Sequence, residues 1–175
     1  MVKPLVGQMG RVIVGHLDPH EDLLVAIKEL VSSHGIRAGV VLSVTGGLEH
    51  AVLQHFKPGR EAVGLTEVDG PMEASGHGIV GTVVAPEKGD EPFGVGQYVH
   101  GDSYVHVHLT VTSATQTIMG HLMPGTTVRS NNPISHFTIM IVEVEAVAIE
   151  IRFDESIDRG GKGFGVYHHV AAINS

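Results

Sequence analysis

A single amphipathic helix is the only clear helix that this sequence predicts, and this limits the fold more than any other feature. Its start is indicated by Asp18 as the N-cap, Pro19 at the first helical position and Glu21 three residues after the cap. The apolar residues that follow recur at helical spacing and form one stripe: Leu23, Leu24, Ile27, Leu30 and Val31. Gly35 is predicted to end the helix as a left-handed C-cap. One helix covers only part of a large sheet, so strands have to supply most of the core.

The remainder of the chain predicts β-strands separated by glycine, proline and charged residues. The strands are predicted at residues 9–17, 39–45, 51–56, 61–67, 79–85, 104–112 and 137–153, the last with an internal break. Gly46-Gly47 is expected to end one strand, and residues 85–102 are expected to form a long surface loop. The glycine-rich residues 154–175 are predicted to be a loosely ordered C-terminal tail after a domain of residues 1–153.

Composition narrows the possible environment and partners. The 175 residues suit one domain, and the absence of cysteine excludes disulfides and thiolate ligands, as is typical of a reducing cytoplasm. The N-terminus lacks the long apolar run of a signal peptide, and no segment approaches the ~20 apolar residues of a membrane span. We therefore expect a cytoplasmic protein. Eleven basic against nineteen acidic residues give a net charge of −8, which disfavours binding to DNA phosphates.

The most informative motif is an alternating strand that carries two histidines. Between Tyr104 and Thr112, Val105, Val107, Leu109 and Val111 fall on one face, whereas the polar residues fall on the other. His106 and His108 therefore share the polar face, with Cα atoms about 7 Å apart. At that separation two ring nitrogens can converge on one metal ion.

A third histidine decides between two interpretations of this motif. An isolated His-x-His is more often a polar pair on a solvated strand face, because a metal site needs a third group. If residues 112–116 turn, His121 returns beside the first strand and reaches the same ion, with Gly120 allowing close backbone approach. Three histidines with an open fourth position are typical of catalytic zinc, although imidazole also suits iron, nickel and copper.

These motifs carry a family resemblance. The segments His106-Val107-His108-Leu109 and Gly120-His121-Leu122 resemble the His-x-His and Gly-His-Leu signature of the plant and prokaryote conserved (PPC) domain in its prokaryotic single-domain form. The stretch from His16 to Leu24 resembles that family's first strand and helix turn. The segments at residues 34–39 and 46–53 resemble its next strand and turn, so that the resemblance covers roughly residues 9–150.

The resemblance implies an α+β domain with a largely antiparallel sheet, assembled as a homotrimer, in which His106, His108 and His121 hold a metal, often zinc. The implied fold is similar to that of acetolactate decarboxylases, which use a three-histidine zinc site to polarise a substrate. Plant relatives of the family carry an AT-hook and bind DNA, and bacterial members are often named for DNA binding. This chain has no AT-hook.

Two departures from the family pattern concern the predicted site. A glutamate followed by Ser-Gly is usual in the strand before the loop, and Glu73-Ala74-Ser75-Gly76-His77 matches it only loosely. We take Glu73 and His77 as the catalytic acid–base candidates. Met119 replaces the usual second glycine before the third histidine, which is expected to narrow the site.

Three functions remain open at the level of sequence. The first is a metal-binding protein with one divalent ion, for which zinc is the best-suited metal. In the enzymatic form of this hypothesis, the ion acts on a small oxygen-bearing substrate. The second is a DNA-binding or regulatory protein, which the charge and the missing AT-hook oppose. The third is a trimeric ligand-binding or structural protein in which the metal only stiffens the fold.

Overall fold

The computed structural model describes residues 4–58, 63–94, 96–158 and 165–173. These residues form one α-helix, α1 (Leu23–Ser33), and nine strands. The strands are β1 (Gln8–Leu17), β2 (Gly39–Phe56), β3 (Val63–Val83), β4 (Ser103–Thr112), β5 (Thr117–Leu122), β6 (Thr127–Val128), β7 (Phe137–Glu145), β8 (Val147–Phe153) and β9 (Val166–Ala172). The predicted α+β class with one main helix is confirmed. No helix in the described part of the chain is long and apolar enough to cross a membrane.

All nine strands belong to one sheet, in the order β1-β7-β2-β5-β4-β3-β8-β9, with β6 paired to β2. The named pairings are antiparallel except for β3 with β8, so the largely antiparallel sheet is confirmed. Because β2 also pairs directly with β3, the four strands β2, β5, β4 and β3 form a closed circuit of pairings. This circuit holds the β4–β5 hairpin from both sides.

The helix packs its apolar stripe into the core but begins later than the sequence predicted. Leu23, Ile27 and Val31 are fully buried, as predicted. The N-cap is Asp22, whose carboxylate accepts a hydrogen bond from the amide of Val25 at 3.0 Å. The prediction of Asp18 as N-cap was wrong, because His20 takes a left-handed conformation, φ 70°, that interrupts helical geometry before Asp22.

The helix ends as predicted, at a glycine in the left-handed region. Gly35 has φ 63°, a conformation that disfavours residues with a Cβ. Its amide donates to the carbonyl of Ser32 at 3.0 Å, and the amide of Ile36 donates to the carbonyl of Val31 at 3.0 Å. This pair of bonds is the Schellman motif, and it turns the chain directly into β2.

Two pairs of predicted strands are continuous in the structure. Strand β2 runs through Gly46-Gly47, and β3 joins the regions predicted as separate strands at residues 61–67 and 79–85. Irregularities in the β2–β3 register between Val41 and Val44, and between Leu48 and His50, let these long strands bend without ending. The prediction of a strand end at Gly46-Gly47 was therefore wrong. Residues 61 and 62 of the predicted strand lie outside the described residues.

The C-terminal segment contains a strand that the sequence analysis did not predict. Residues 166–172 form β9 and pair antiparallel with β8 along their whole length, from Val147 with Ala172 to Phe153 with Val166. The prediction of a loosely ordered tail was wrong for these residues, because the glycines precede β9 and do not interrupt it. Residues 159–164 of that predicted tail lie outside the described residues.

The core lies against one face of β4 and leaves the other face free for chemistry. Val107 and Leu109 are fully buried, as the alternation of this strand predicted. A second apolar cluster lies beneath the end of β4, where Val83, Phe93, Tyr104 and Ile151 pack together. Phe93 belongs to the predicted loop of residues 85–102, so this loop is anchored beside β4.

Candidate metal centre

The three histidines predicted to form a metal site lie together on the β4–β5 hairpin. His108 on β4 is the direct cross-strand partner of His121 on β5, and His106 lies two residues before His108 on the same face. The turn predicted at residues 112–116 connects the two strands. A Cβ on Gly120 would lie 2.9 Å from the carbonyl oxygen of Gln54. Glycine is therefore needed at this position if β5 is to approach β2.

The ring nitrogens of the three side chains converge. One nitrogen from each of His106, His108 and His121 lies within 4.8 Å of the others. The Nε2 atoms of His106 and His108 are 3.0 Å apart, and their rings are stacked with a 10° interplanar angle. The ring of His121 meets that of His106 edge-on, with centroids 4.6 Å apart.

Burial keeps two of these imidazoles neutral over a wide pH range. Burial, and then the neighbouring His121, His168 and His108, together lower the pKa of His106 to about 4. Burial, and then His108, lowers the pKa of His121 to about 4. Neutral imidazole is the form that binds metal, because the proton of the cationic form occupies the ligand lone pair.

The donor set fits a divalent transition metal. Zinc binds imidazole at about 2.0–2.1 Å, so two of its ligand nitrogens lie roughly 3.4 Å apart at a tetrahedral angle. The Nε2 atoms of His106 and His108 are 3.0 Å apart, and all three candidate ligand nitrogens lie within 4.8 Å of one another, so the cluster is compatible with this value. Three protein nitrogens leave a fourth position, which in metal sites of this type is taken by water or substrate.

The structure adds two residues to the site that the sequence analysis did not assign. The hydroxyl of Tyr104 lies 2.6 Å from Nδ1 of His106 and 2.8 Å from Nε2 of His168. Tyr104 is almost fully buried, and burial raises the pKa of its phenol. Burial also lowers the pKa of His168. The run Val-Tyr-His-His-Val at residues 166–170 contains β-branched and aromatic residues, and this is the signal that could have placed His168 on a strand.

A cavity of about 530 Å³ opens in front of the three histidines. Most of its lining is apolar or aromatic, including Phe56, Tyr98, Met119, Met123, Ile151 and Val166. Besides the histidine cluster and His168, Gln54 and His55 contribute polar groups. Among the described lining residues there is no Lys, Arg, Asp or Glu, so a ligand would meet few charges other than that of a metal ion.

The two acid–base candidates lie on the same sheet but not at the cavity. His77 pairs with His108 across β3 and β4, and Glu73 pairs with Thr112 farther along the same strands. Both are exposed, and neither is among the residues that line the cavity. His77 is therefore one strand away from a candidate ligand, whereas Glu73 is four residues farther along β3.

Comparison with known proteins identifies the family. The profile of the Plants and Prokaryotes Conserved (PCC) domain matches residues 5–141. The chain belongs to this family. It is the same family as the PPC domain that the histidine motifs resemble. The PCC match ends before β8 and β9, so Tyr104 lies inside it and His168 lies outside. A comparison with curated proteins finds no match to this PCC-domain chain.

Solved structures share the fold of this PCC-domain protein. A metal-containing protein of Archaeoglobus fulgidus has a TM-score of 0.69 and 20% identity, over 93% of this chain and 96% of that one. A PPC protein of Pyrococcus horikoshii has a TM-score of 0.66 and 20% identity, over 89% and 92% of the chains. A candidate DNA-binding protein of Bacteroides thetaiotaomicron has a TM-score of 0.63 and 15% identity, over 93% and 96%. At these identities the likeness concerns the fold alone.

The lowered pKa values predict how the metal-free protein responds to acid. An unfolded histidine has a pKa near 6.5, whereas His106 and His121 have values of about 4 in the fold. Between these values the unfolded chain binds more protons than the folded one, so stability falls as pH decreases from about 6.5 to about 4.

Urea midpoints of metal-free protein at pH 7.5 and pH 4.5 measure this effect. We expect the midpoint to fall more in the wild type than in His121→Asn, which cannot take up that proton. Comparing the two proteins cancels the contribution of carboxylates elsewhere. Equal falls in both proteins would contradict the predicted role of His121.

Proposed function

We propose that this protein binds one divalent transition metal ion per chain through His106, His108 and His121, and that zinc is the best-suited ion. The observation that carries this proposal is the convergence of three imidazole nitrogens within 4.8 Å at the edge of a cavity. Support comes from the neutral state in which burial holds His106 and His121. The archaeal structure with the same fold is described as metal-containing, which agrees with this function.

We propose further that the ion acts as a Lewis acid toward a small oxygen-bearing molecule, which would make the protein a metal-dependent enzyme. Three neutral imidazoles leave the double charge of the ion uncompensated, so an anionic oxygen is the favoured fourth ligand. The described cavity lining carries no cation to receive a second anionic group. The favoured ligand is therefore singly charged with an apolar body. Glu73 and His77 remain the proposed acid–base residues, with His77 nearer to the cluster.

Visible spectra of the Co²⁺-loaded protein test for an open coordination position. Cobalt substitutes for zinc and has an absorption spectrum that depends on its ligands. We expect acetate and hexanoate to change that spectrum, with hexanoate about tenfold or more tighter because its chain buries methylene groups against Met119 and Met123. Phosphate is expected to bind more weakly than hexanoate.

Each alternative outcome of the cobalt titration has a distinct meaning. A cobalt spectrum that no anion changes would favour a closed, structural metal and would contradict the catalytic proposal. Phosphate binding as tight as that of hexanoate would contradict the singly charged, apolar ligand. His108→Ala serves as the control, since it should give no bound-cobalt spectrum at all.

We propose that the chain assembles as a homotrimer, as the family resemblance implies. An exposed apolar patch on the sheet, here called the β1–β2 patch, supports this proposal. In this patch Val12, Val14, Val40 and Leu42 lie 38–60% exposed on one face of β1 and β2. Val12 and Val40 both pair with Val142 of β7, so they share that face. Exposed apolar patches of this kind mark interaction surfaces. The opposite face of β7 is buried in the core, where Phe137, Ile139 and Ile141 are fully covered.

Light scattering coupled to gel filtration measures the assembly. We expect about three times the mass of the 18.5 kDa chain for the wild type. Val14→Glu places a charge in the β1–β2 patch and is expected to shift the protein toward monomer. Val25→Glu is the matched control, because Val25 is also exposed, at 47%, but lies on α1 and not on β1 or β2. A monodisperse wild-type monomer at micromolar concentration would contradict the trimer.

DNA binding is the second candidate function, since two proteins of this fold are named as candidate DNA-binding proteins. The net charge of −8 opposes it, because DNA is bound chiefly through its phosphates. At physiological salt we expect no specific complex in the sub-micromolar range in fluorescence anisotropy titrations. Tight, sequence-dependent binding would replace the enzymatic proposal with a regulatory one. For either function we propose a cytoplasmic location, on the basis of the cysteine-free composition.

A further inference from the structure

The buried hydroxyl of Tyr104 lies between two histidines that come from distant parts of the chain. Nδ1 of His106 is 2.6 Å away and Nε2 of His168 is 2.8 Å away. The rings also pack, with the Tyr104 centroid 6.0 Å from that of His106 and 5.5 Å from that of His168. A hydroxyl has one proton, so it donates to one histidine and accepts from the other.

Only two arrangements of protons satisfy both hydrogen bonds of the Tyr104 hydroxyl when the two histidines are neutral. In the first, His168 donates from Nε2 to Tyr104, and Tyr104 donates to Nδ1 of His106. That arrangement leaves the remaining proton of His106 on Nε2, the atom 3.0 Å from Nε2 of His108. In the second, His106 donates from Nδ1 to Tyr104, and Tyr104 donates to Nε2 of His168. Nε2 of His106 then carries a lone pair directed at the histidine cluster.

We propose that Tyr104 and His168 are positioning residues that fix His106 in the tautomer with a free Nε2, and thereby set the metal affinity of the cluster. This inference rests on the proposed metal site. The second proton arrangement is the only one compatible with Nε2 of His106 as a ligand. Groups that hydrogen-bond the far side of a ligating histidine orient its ring and raise its basicity, and their loss typically costs about 10–100-fold in metal affinity.

The C-terminal strand β9 contributes the His168 side chain to the proposed site. Strand β9 holds His168 opposite Ile151 of β8, and Ile151 is buried beside Tyr104 in the apolar cluster beneath the site. His169, the next residue, pairs with Glu150 and so lies on the other face of the sheet. The family profile ends at residue 141, so this contact is supplied by a segment outside the region that defines the family.

Zinc affinity, measured by competition with a chromogenic chelator, tests the proposal. We expect Tyr104→Phe and His168→Leu each to weaken Zn²⁺ binding by about 10–100-fold. His168→Gln keeps a carbonyl that can accept from Tyr104 and is expected to restore most of the affinity. His169→Leu is the matched control and should bind as the wild type does. Tyr104 is buried, so its substitution can prevent folding. In that case the two His168 variants test the proposal, because the His168 side chain is exposed.

Long-range ¹H–¹⁵N spectra of the histidine rings supply a readout that a merely structural role would not change. In zinc-loaded wild type we expect His106 to carry its proton on Nδ1 and His168 to carry its proton on Nδ1. The opposite tautomers, or affinities of the Tyr104 and His168 variants within twofold of wild type, would overturn the proposal while leaving the metal site intact. Failure of the wild type to bind zinc would overturn both the metal site and this inference.

Discussion

Replacing His121 with alanine is expected to reduce metal content from about one ion per chain to about zero, the largest change predicted here. Two histidines on one strand form an incomplete site, whereas a zinc site of the open type needs three protein ligands. His121 is the proposed ligand that the hairpin places beside His108. Its loss therefore removes the group that distinguishes the proposed metal site from a polar strand face. Elemental analysis of dialysed, untagged protein measures the change.

His169→Ala is the control for this substitution, because it removes a histidine from the face of β9 opposite His168. It is expected to keep the full metal content. If the His121→Ala protein retained as much metal as the wild type, His121 would not be a ligand. If the double variant His106→Ala, His108→Ala retained half or more of the metal, the ion would have to bind at a site other than the β4–β5 hairpin.

Replacing Leu109 with alanine is expected to destabilise the protein by about 2–5 kcal/mol without abolishing metal binding. Leu109 is fully buried beneath the strand that carries His106 and His108, and its side chain belongs to the main core cluster. Its removal leaves a cavity that the surrounding sheet fills only in part. Urea unfolding of the metal-free protein measures the loss.

Thr110→Val is the matched control for Leu109→Ala, because it keeps the β-branched shape at the next position on the opposite face of β4. We expect it to change stability by no more than about 0.5 kcal/mol. A similar effect of the two substitutions would contradict the division of β4 into a core face and a site face. Complete loss of metal in a folded Leu109→Ala protein would show that the two faces are coupled.

The sequence predicted the geometry of the histidine-bearing β4–β5 hairpin well because its signals are local. Alternation in β4 assigned Val107 and Leu109 to the core and His106 and His108 to the free face, and the structure places them there. The return of His121 required only a short turn between two strands. The stripe of α1 and the left-handed Gly35 were equally local, and both are confirmed.

The parts that sequence reasoning missed depend on contacts between distant residues. Gly46-Gly47 is a typical strand break when neighbouring strands are unknown, yet β3 pairs with β2 directly through both glycines, and β7 pairs with β2 up to Thr45. His168 lies 64 residues from Tyr104 in sequence, and only the pairing of β9 with β8 brings the two together. The start of α1 shifted because Asp22 both caps the helix and accepts the amide of Gly125 at 2.6 Å.

The metal content of the untagged wild-type protein tests the central claim most directly. Elemental analysis after purification without chelators or added metal, together with zinc titration of the stripped protein, gives both the identity of the ion and the stoichiometry. We predict about one divalent transition metal per chain, bound through the three clustered histidines. A protein that contains no metal as purified, and takes up none on titration at neutral pH, would contradict the claim.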